Sequence, residues 1–442
     1  MKEIKNSALE YHGKNPPGKI ATKITKSCRN QRDLSLAYSP GVAEVSMAIA
    51  KNPKRLNQYT NRGNYIAVIT DGSAILGLGD LGPEAAYPVM EGKALLFKKF
   101  ADVDASPICL NIAGADDSAK KKRLVKTVKA LEPTFGGINL EDIKAPACFE
   151  IEQQLKKNLK IPVFHDDQHG TAIITLAALF NALELTGKRI QEVKCVFLGA
   201  GAAGIATASL FARAGVLKRN IIMSDSTGIL HQDRKKNMNK YKRQWATKIQ
   251  CRSLKQAMRG ADVFVGVSGR DLVTQAMVKS MNVKPIIFAM ANPWPEIKPE
   301  KAKQAGAFVV GTGRSDYENQ INNVLGFPGV FRGVLDTHAR EINDQMKIAA
   351  AQALAQLAKE PIPAKVKNEL KRAYAKEAKH GIFDQKNPLA PNYVIPKPLD
   401  SRVAPRVARE VAKAAMETRV AQKSIENRTK YEKQIAMRLA AV

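Results

Sequence analysis

Two adjacent acidic pairs carry the strongest chemical signal in the first half of the sequence: Glu141-Asp142 in GGINLEDIKAP and Asp166-Asp167 in IPVFHDDQHGT. Neighbouring carboxylates repel one another unless a positive charge holds them together. A hard divalent cation accepts oxygen ligands of this kind and keeps positions open for water or substrate oxygens. Each pair follows an apolar run, which puts it at the end of a strand. Either pair alone also reads as a solvated turn; the two together read as a candidate cation site. His165 and His169 flank the second pair four residues apart and admit a His-x-x-x-His zinc site, but that leaves both acidic pairs without a role. Lys93 opens the apolar stretch KALLF, where loss of water would lower its pKa and suit it to act as a base, and Tyr38 brings a phenolic hydroxyl to a turn in LAYSPGVA. By composition alone, both also fit an ordinary surface.

A third group of residues lies further on. Gly199-Ala200-Gly201-Ala202-Ala203-Gly204 matches G-x-G-x-x-G, follows the apolar run VKCVFL and opens a small-residue helical stretch ending at Gly215. Such glycines let the backbone approach a pyrophosphate at a helix N-terminus, where amide groups and the helix dipole favour anions. Asp225 ends the next strand, NIIMSDS, where a carboxylate bonds the ribose 2′-hydroxyl of NAD and repels the 2′-phosphate of NADP. The basic run Arg234-Lys235-Lys236 offers a phosphate partner close by, so NADP stays open, and a turn or helix cap is the plainer role for Asp225.

The elements that must position these residues follow from the pattern. VKCVFL, NIIMSDS, ADVFVGVS, PIIFAMANP and AFVVGTG are apolar runs ending in polar turns, as expected of a doubly wound parallel sheet, so the second half is the parallel α/β candidate. The first part, to about Lys160, mixes short apolar runs with turns. Gly170 to Glu184 has apolar residues at helical spacing, ends before Gly187 and is expected to lead from the first domain into the second. After Gly333 the chain reads as mostly helical apart from a proline-rich stretch at Pro388 to Pro398. The expected division is an N-terminal catalytic domain at 1–170, a Rossmann-like domain at 171–400 and a basic helical tail at 401–442 with its lysines and arginines on a solvated face.

Length and charge bound the alternatives. A chain of 442 residues can bury two or three cores. Lysine and arginine number 70 against 41 acidic residues, a formal charge of +29, which suits a dianionic substrate and a phosphate-bearing cofactor as well as a nucleic acid. The basic residues are dispersed and not interleaved with aromatics, which speaks against a stacking platform for single strands. A nucleic-acid-binding or interaction protein on an inactive enzyme fold is the alternative from another class. Five separated cysteines without a C-x-x-C pair read as reduced thiols, and the absence of an apolar leader or an 18-residue apolar run goes with a cytoplasmic protein without membrane contact.

Taken together, LAYSPGVAEV, VITDGSAILGLGDLGPEAAYPVMEGKALLFKKFA, GGINLEDIKAP, PVFHDDQHGTAI, FLGAGAAGIA, MANPWPEI and GRSDYENQINNVLGFPGVFRG resemble the malic enzyme family in its shorter bacterial form. These stretches keep the family's order from Leu36 to Gly333, with weaker similarity through VIPKPLDSRVAPRVAREVAKAAM. The resemblance implies oxidative decarboxylation of (S)-malate to pyruvate and carbon dioxide, with NAD or NADP and with Mg2+ or Mn2+, by a homodimer or larger homo-oligomer. It implies that Lys93 is the base for the malate hydroxyl with Asp166 beside it, that Tyr38 is the acid protonating C3, and that Glu141, Asp142 and Asp167 hold the metal. Asn292 and Asn322 would lie near nicotinamide and substrate, with Asn323 unassigned. A malolactic or oxaloacetate-decarboxylating variant would share all these residues. One position departs from the pattern: where larger relatives carry a substrate-binding arginine after TDG, this chain has Ser73-Ala74. On the acidic-residue argument, Asp225 favours NAD.

Overall fold

Continuous apolar runs such as YIAVIT and CVFL can be buried on both sides only when helices cover both faces of a sheet, and the chain uses them this way twice. The computed structural model describes residues 2–441. The first sheet contains β1 (Tyr65–Thr70), β2 (Asp104–Cys109), β3 (Gly137–Leu140) and β4 (Val163–His165), in the order β2-β1-β3-β4 and parallel throughout. The sequence pattern reserved the parallel sheet for the second half. In the first half YIAVIT stands alone as a continuous apolar strand: β2 carries Asp104 and Ser106, β3 carries Asn139, and β4 is three residues ending in His165, so no series of apolar runs marks the sheet.

Parallel strands bring their carboxyl ends to one edge, and this is what gathers the acidic pairs. β3 and β4 are neighbours with Leu140 opposite His165, so the residues that follow them emerge side by side. α1 (Gln31–Ala37) and α2 (Gly41–Lys51) precede the sheet and bury no residue. α3 (Pro83–Ala101) crosses from β1 to β2 and packs on both.

α4 (Asp166–Thr186) leaves β4 and runs for 21 residues to a left-handed Gly187 that stops it. The expected helix at Gly170 to Glu184 therefore starts earlier, because Asp166 and Asp167 occupy its first turn, where the helix dipole favours negative charge. Beyond it lies the second sheet: β5 (Cys195–Leu198), β6 (Ile221–Asp225), β7 (Gly228–Ile229), β8 (Val263–Gly266), β9 (Ile286–Ala289) and β10 (Val309–Thr312), in the order β10-β9-β8-β5-β6-β7. Only the two-residue β7 is antiparallel. From β5 the chain first adds β6 on one side and then β8 on the other, and ligands bind at the carboxyl ends of strands at such a switch. The glycine turn after β5 leads into α5 (Ala202–Arg213).

Four C-terminal helices tie the two sheets together: α6 (Phe327–Asp336), α7 (Asp344–Leu357), α8 (Val403–Glu417) and α9 (Arg428–Ala440). α8 buries Val403, Val407, Val411 and Ala415 at fourfold spacing against α6 and α7, and α6 also meets α3. Its basic residues are not a free solvated face. Arg406 pairs with Glu360 at 2.6 Å and Glu432 at 2.9 Å, and Arg409 pairs with Glu432 at 2.5 Å. The largest apolar core joins both sheets to the C-terminal helices, including Ile66, Leu140, Ile173, Phe197, Val330 and Val407, and a second covers the other face of the second sheet with Val196, Ile222 and Phe264. Among the described residues no helix is long and apolar enough to cross a membrane, and all five cysteines are free.

Candidate active site

Lys93 projects from α3 into the edge where the acidic pairs meet. Its Nζ lies 2.6 Å from Asp166 Oδ2 and 3.0 Å from Glu141 Oε1, and 4.4 Å above the Phe327 ring from α6. Asp166 is fully buried as the first residue of α4, and Glu141 and Asp142 are the buried residues after β3. Asp142 adopts a left-handed backbone conformation (φ 53°), and its N–H donates to Asp167 Oδ2 at 2.8 Å. The loop after β1 clamps the same residue: the Ala74 N–H donates to the Asp142 carbonyl at 3.0 Å and the Leu76 N–H to its Oδ1 at 3.3 Å. In that loop Ser73 donates to Asp71 Oδ1 at 2.5 Å and accepts from the Lys144 N–H at 2.9 Å, so its hydroxyl is already engaged.

Glu141, Asp142 and Asp167 each offer an oxygen within 4.8 Å of the others, the one such group among the described residues. Burial, then the nearby Asp167 charge, pushes the Asp142 carboxyl up to about 7. Burial likewise raises Glu141, and the lowering pull of Lys93 does not cancel it. Burial alone would lower Lys93, but Asp166 and Glu141 outweigh it and hold the ammonium above the ordinary lysine range. Asp142 Oδ2 and Asp166 Oδ1 are buried without a hydrogen-bond partner. Buried carboxylate oxygens left short of positive charge are the donor set that a hard divalent cation requires, so the residues fit the metal.

The two histidines share no ligand position. His165 is wholly buried with Nδ1 3.6 Å from Asp167 Oδ2, whereas His169 Nε2 pairs with Glu152 Oε1 at 2.8 Å on the helix Ala147–Asn158. Burial drives His169 down to about 3, leaving it neutral. No histidine belongs to the oxygen triad, and the zinc alternative is set aside.

The neighbouring asparagines separate into different tasks. Asn322 Oδ1 accepts from the Val324 N–H at 3.1 Å and caps a short turn. Asn323, unassigned from sequence, donates to Asp166 Oδ2 at 3.0 Å and accepts from Thr171 Oγ1 at 3.1 Å. Adjacent identical residues gave no signal to choose between them. Asn292 is exposed on the loop after β9, its carbonyl facing Gly77 of the loop after β1, so these two loops come together. Tyr38 stands apart: it ends α1, is 72% exposed, and makes no side-chain hydrogen bond to Lys93 or the carboxylates.

The glycine turn is shaped as its sequence suggests. Gly199 has φ +120°, and a Cβ on Gly204 would lie 1.9 Å from the Gly199 carbonyl oxygen, so both are needed for the turn itself. A Cβ on Gly201 would meet nothing within 4 Å, and no side chain caps the start of α5, which leaves amides facing open space for a pyrophosphate. Asp225, at the end of β6, accepts from Arg234 Nη2 at 2.7 Å on both oxygens, from Lys242 Nζ at 2.7 Å and from the Thr227 N–H at 2.9 Å. Glu296 was not singled out from sequence. It is fully buried and joins the loops after β8 and β9 by accepting from Ser268 N–H at 2.8 Å and Ala291 N–H at 3.2 Å, and burial pushes its carboxyl up to about 7. A single glutamate in PWPEI carries no spacing that would announce this.

The family described as malic enzyme, N-terminal domain, matches residues 17–156, and malic enzyme, NAD binding domain, matches residues 168–371. The bifunctional malic/malolactic enzyme of Bacillus subtilis (strain 168) is 52% identical over 427 residues, covering 96% of either chain. The NADP-dependent malic enzyme of Rhizobium meliloti (strain 1021) is 51% identical over 432 residues, 98% of this chain and 54% of that one, so this chain spans about half the length of that relative. Among solved structures, the crystal structure of malic enzyme from Pyrococcus horikoshii Ot3 matches with a TM-score of 0.87 and 41% identity, covering 99% of this chain and 96% of the other.

Proposed function

The chain belongs to the malic enzyme family and carries a Rossmann-like nicotinamide dinucleotide-binding domain, and on that premise we propose that it oxidises and decarboxylates (S)-malate to pyruvate and carbon dioxide. The observation that carries the proposal is the buried Lys93–Asp166 pair beside the oxygen triad of Glu141, Asp142 and Asp167. When bound, Mg2+ or Mn2+ on that triad would supply Lewis acidity and draw Glu141 away from Lys93, and the dinucleotide would accept the hydride from C2. Lys93, held as an ammonium by Asp166 and Glu141, must first give up a proton before it can take that of the C2 hydroxyl, and a cation neutralising Glu141 would ease that loss. Asp166 fixes its Nζ and is itself held by Asn323. Loss of the C4 carboxylate as carbon dioxide leaves the enolate of pyruvate, which needs a proton at C3, and Tyr38 is the acid for it.

A general acid that is 72% exposed needs a cover, and α1 and α2 bury nothing while exposing Leu34, Leu36 and Met47. This exposed arm supports the reading as a homodimer in which a second copy of the chain would close over it, and five free cysteines go with a cytoplasmic location. The test is a spectrophotometric assay with malate and manganese, run separately with NAD and NADP, with pyruvate quantified at the end. Reduced cofactor and pyruvate in equal amounts are expected. Lactate without net reduced cofactor would instead favour the malolactic activity named for the Bacillus subtilis relative.

A further inference from the structure

Malate carries two carboxylates, and the charges that meet them must come from the edge where Lys93 and the oxygen triad stand. Lys93 is matched by Asp166 at 2.6 Å and Glu141 at 3.0 Å and serves the C2 hydroxyl, so it does not double as a carboxylate anchor. The other residues at the carboxyl ends of the first sheet belong to the loops after β1 (71–82), β2 (110–116) and β3 (141–146) and to the first turn of α4 (166–169). Among them Lys144 is the sole lysine or arginine. Two neighbouring cations are already engaged. Arg314, after β10, holds Asp316 through Nε at 2.8 Å and Nη2 at 2.7 Å and donates from Nη1 to the Pro293 carbonyl at 2.8 Å. Lys19, ahead of α1, donates to the Pro88 carbonyl at 2.8 Å with Glu91 3.6 Å away.

Lys144 stands differently. It follows Asp142 by two residues, and its backbone is fixed on both sides: its N–H donates to Ser73 Oγ at 2.9 Å, and its carbonyl accepts from the Cys148 N–H at 3.1 Å at the start of the helix Ala147–Asn158. Its side chain is exposed and has no hydrogen bond or ion pair among the described residues. Ser73-Ala74, where an arginine is absent, is thus bonded to a residue with a free ammonium on a flexible four-carbon stem. Which carboxylate that ammonium meets follows from the chemistry. C4 leaves as carbon dioxide and must shed its charge, so a cation fixed on it would stabilise the starting state over the transition state. C1 keeps its charge from malate through to pyruvate. We propose that Lys144 anchors the C1 carboxylate of the substrate, positioned by the Ser73-Ala74 loop that also clamps Asp142. The proposal rests on the reading of the chain as a malate-decarboxylating enzyme.

The test compares binding with turnover in Lys144→Ala and Lys144→Arg. Binding of (S)-malate and of pyruvate to the whole protein in Mn2+, without dinucleotide, is followed by water-proton relaxation. Removing a charged contact is expected to weaken both ligands about tenfold or more in Lys144→Ala, with most of the affinity kept in Lys144→Arg. Because the contact is the same in every state, KM for malate should rise by a similar factor while kcat stays within a few-fold. Unchanged affinities in Lys144→Ala, or no binding of either ligand to the wild type, overturn the proposal. So does a loss confined to malate, which would put the lysine on C4, or an equal loss of Mn2+ affinity, which would make it a prop of the Asp142 loop. A Lys144-dependent affinity for both ligands without malate turnover would instead overturn the catalytic reading and leave this one standing.

Discussion

Asp142 and Asp225 both stand at strand ends in parallel sheets, and their surroundings are opposite. Around Asp142, three further carboxylates crowd a single lysine, buried oxygens lack partners, and the carboxyl is raised to about 7. Around Asp225, two cations and two neutral donors fill every acceptor site, and although burial works to raise its pKa, the bonds from Arg234 and Lys242 hold it below the usual range. A satisfied carboxylate has finished its work within the fold. An unsatisfied one is waiting for something from outside, and that difference, more than residue type, separates the ligand site from the staple.

The sharpest way to break the comparison is at the lysine that serves the unsatisfied cluster. Lys93→Ala should lower malate oxidation by roughly 10²-fold or more, the contribution of a general base. The loss should fall on kcat/KM in a steady-state assay, and a variant within a few-fold of the wild type would remove Lys93 from the chemistry. Tyr38→Phe should leave hydride transfer and fail later, with pyruvate tautomerisation down by about 10²-fold, followed by proton exchange at C3 in deuterated water. Unchanged exchange would assign the acid elsewhere.

A smaller effect separates the twin asparagines. Asn323→Ala removes a bond to the charged Asp166 and should cost on the order of tenfold in kcat. Asn322→Ala removes only a turn cap and should appear in thermal stability instead. Equal kinetic losses would mean that both asparagines serve the site.

The same contrast shows what the sequence could convey. The acidic pairs, the glycine turn and the strands of the second sheet were legible because each is local: adjacent residues, a fixed spacing or a run of apolar residues. The parallel sheet of the first half was not, since strands as short as Val163–His165 leave no periodicity. Nor was the saturation of Asp225, because Arg234 and Lys242 reach it only after the loop folds back, and a basic run in sequence does not say whether it faces a ligand or a neighbour. Tyr38 was chosen by resemblance, and its exposure in a single chain is visible only in three dimensions.

Glu296 gives the mildest test, on stability alone. Its carboxyl ionises near 4.5 in an unfolded chain and at about 7 in the fold, so between those values the unfolded chain has released a proton that the fold keeps. Stability from this group is therefore lost as pH rises from 4.5 to about 7. Glu296→Gln abolishes the titration, and the variant should gain on the wild type by on the order of 1–3 kcal/mol between pH 4.5 and 8 in denaturant melts. Parallel profiles would show that Glu296 is already ionised in the fold.

The claim that the unsatisfied cluster is the cation site is tested most directly by titrating metal-free protein with Mn2+, in the wild type, Asp167→Asn and Asp225→Asn, and following the bound ion by its paramagnetic resonance signal. One ion per chain is expected in the wild type and in Asp225→Asn, with binding lost or greatly weakened in Asp167→Asn. Undiminished binding in Asp167→Asn, or none in the wild type, would contradict the account.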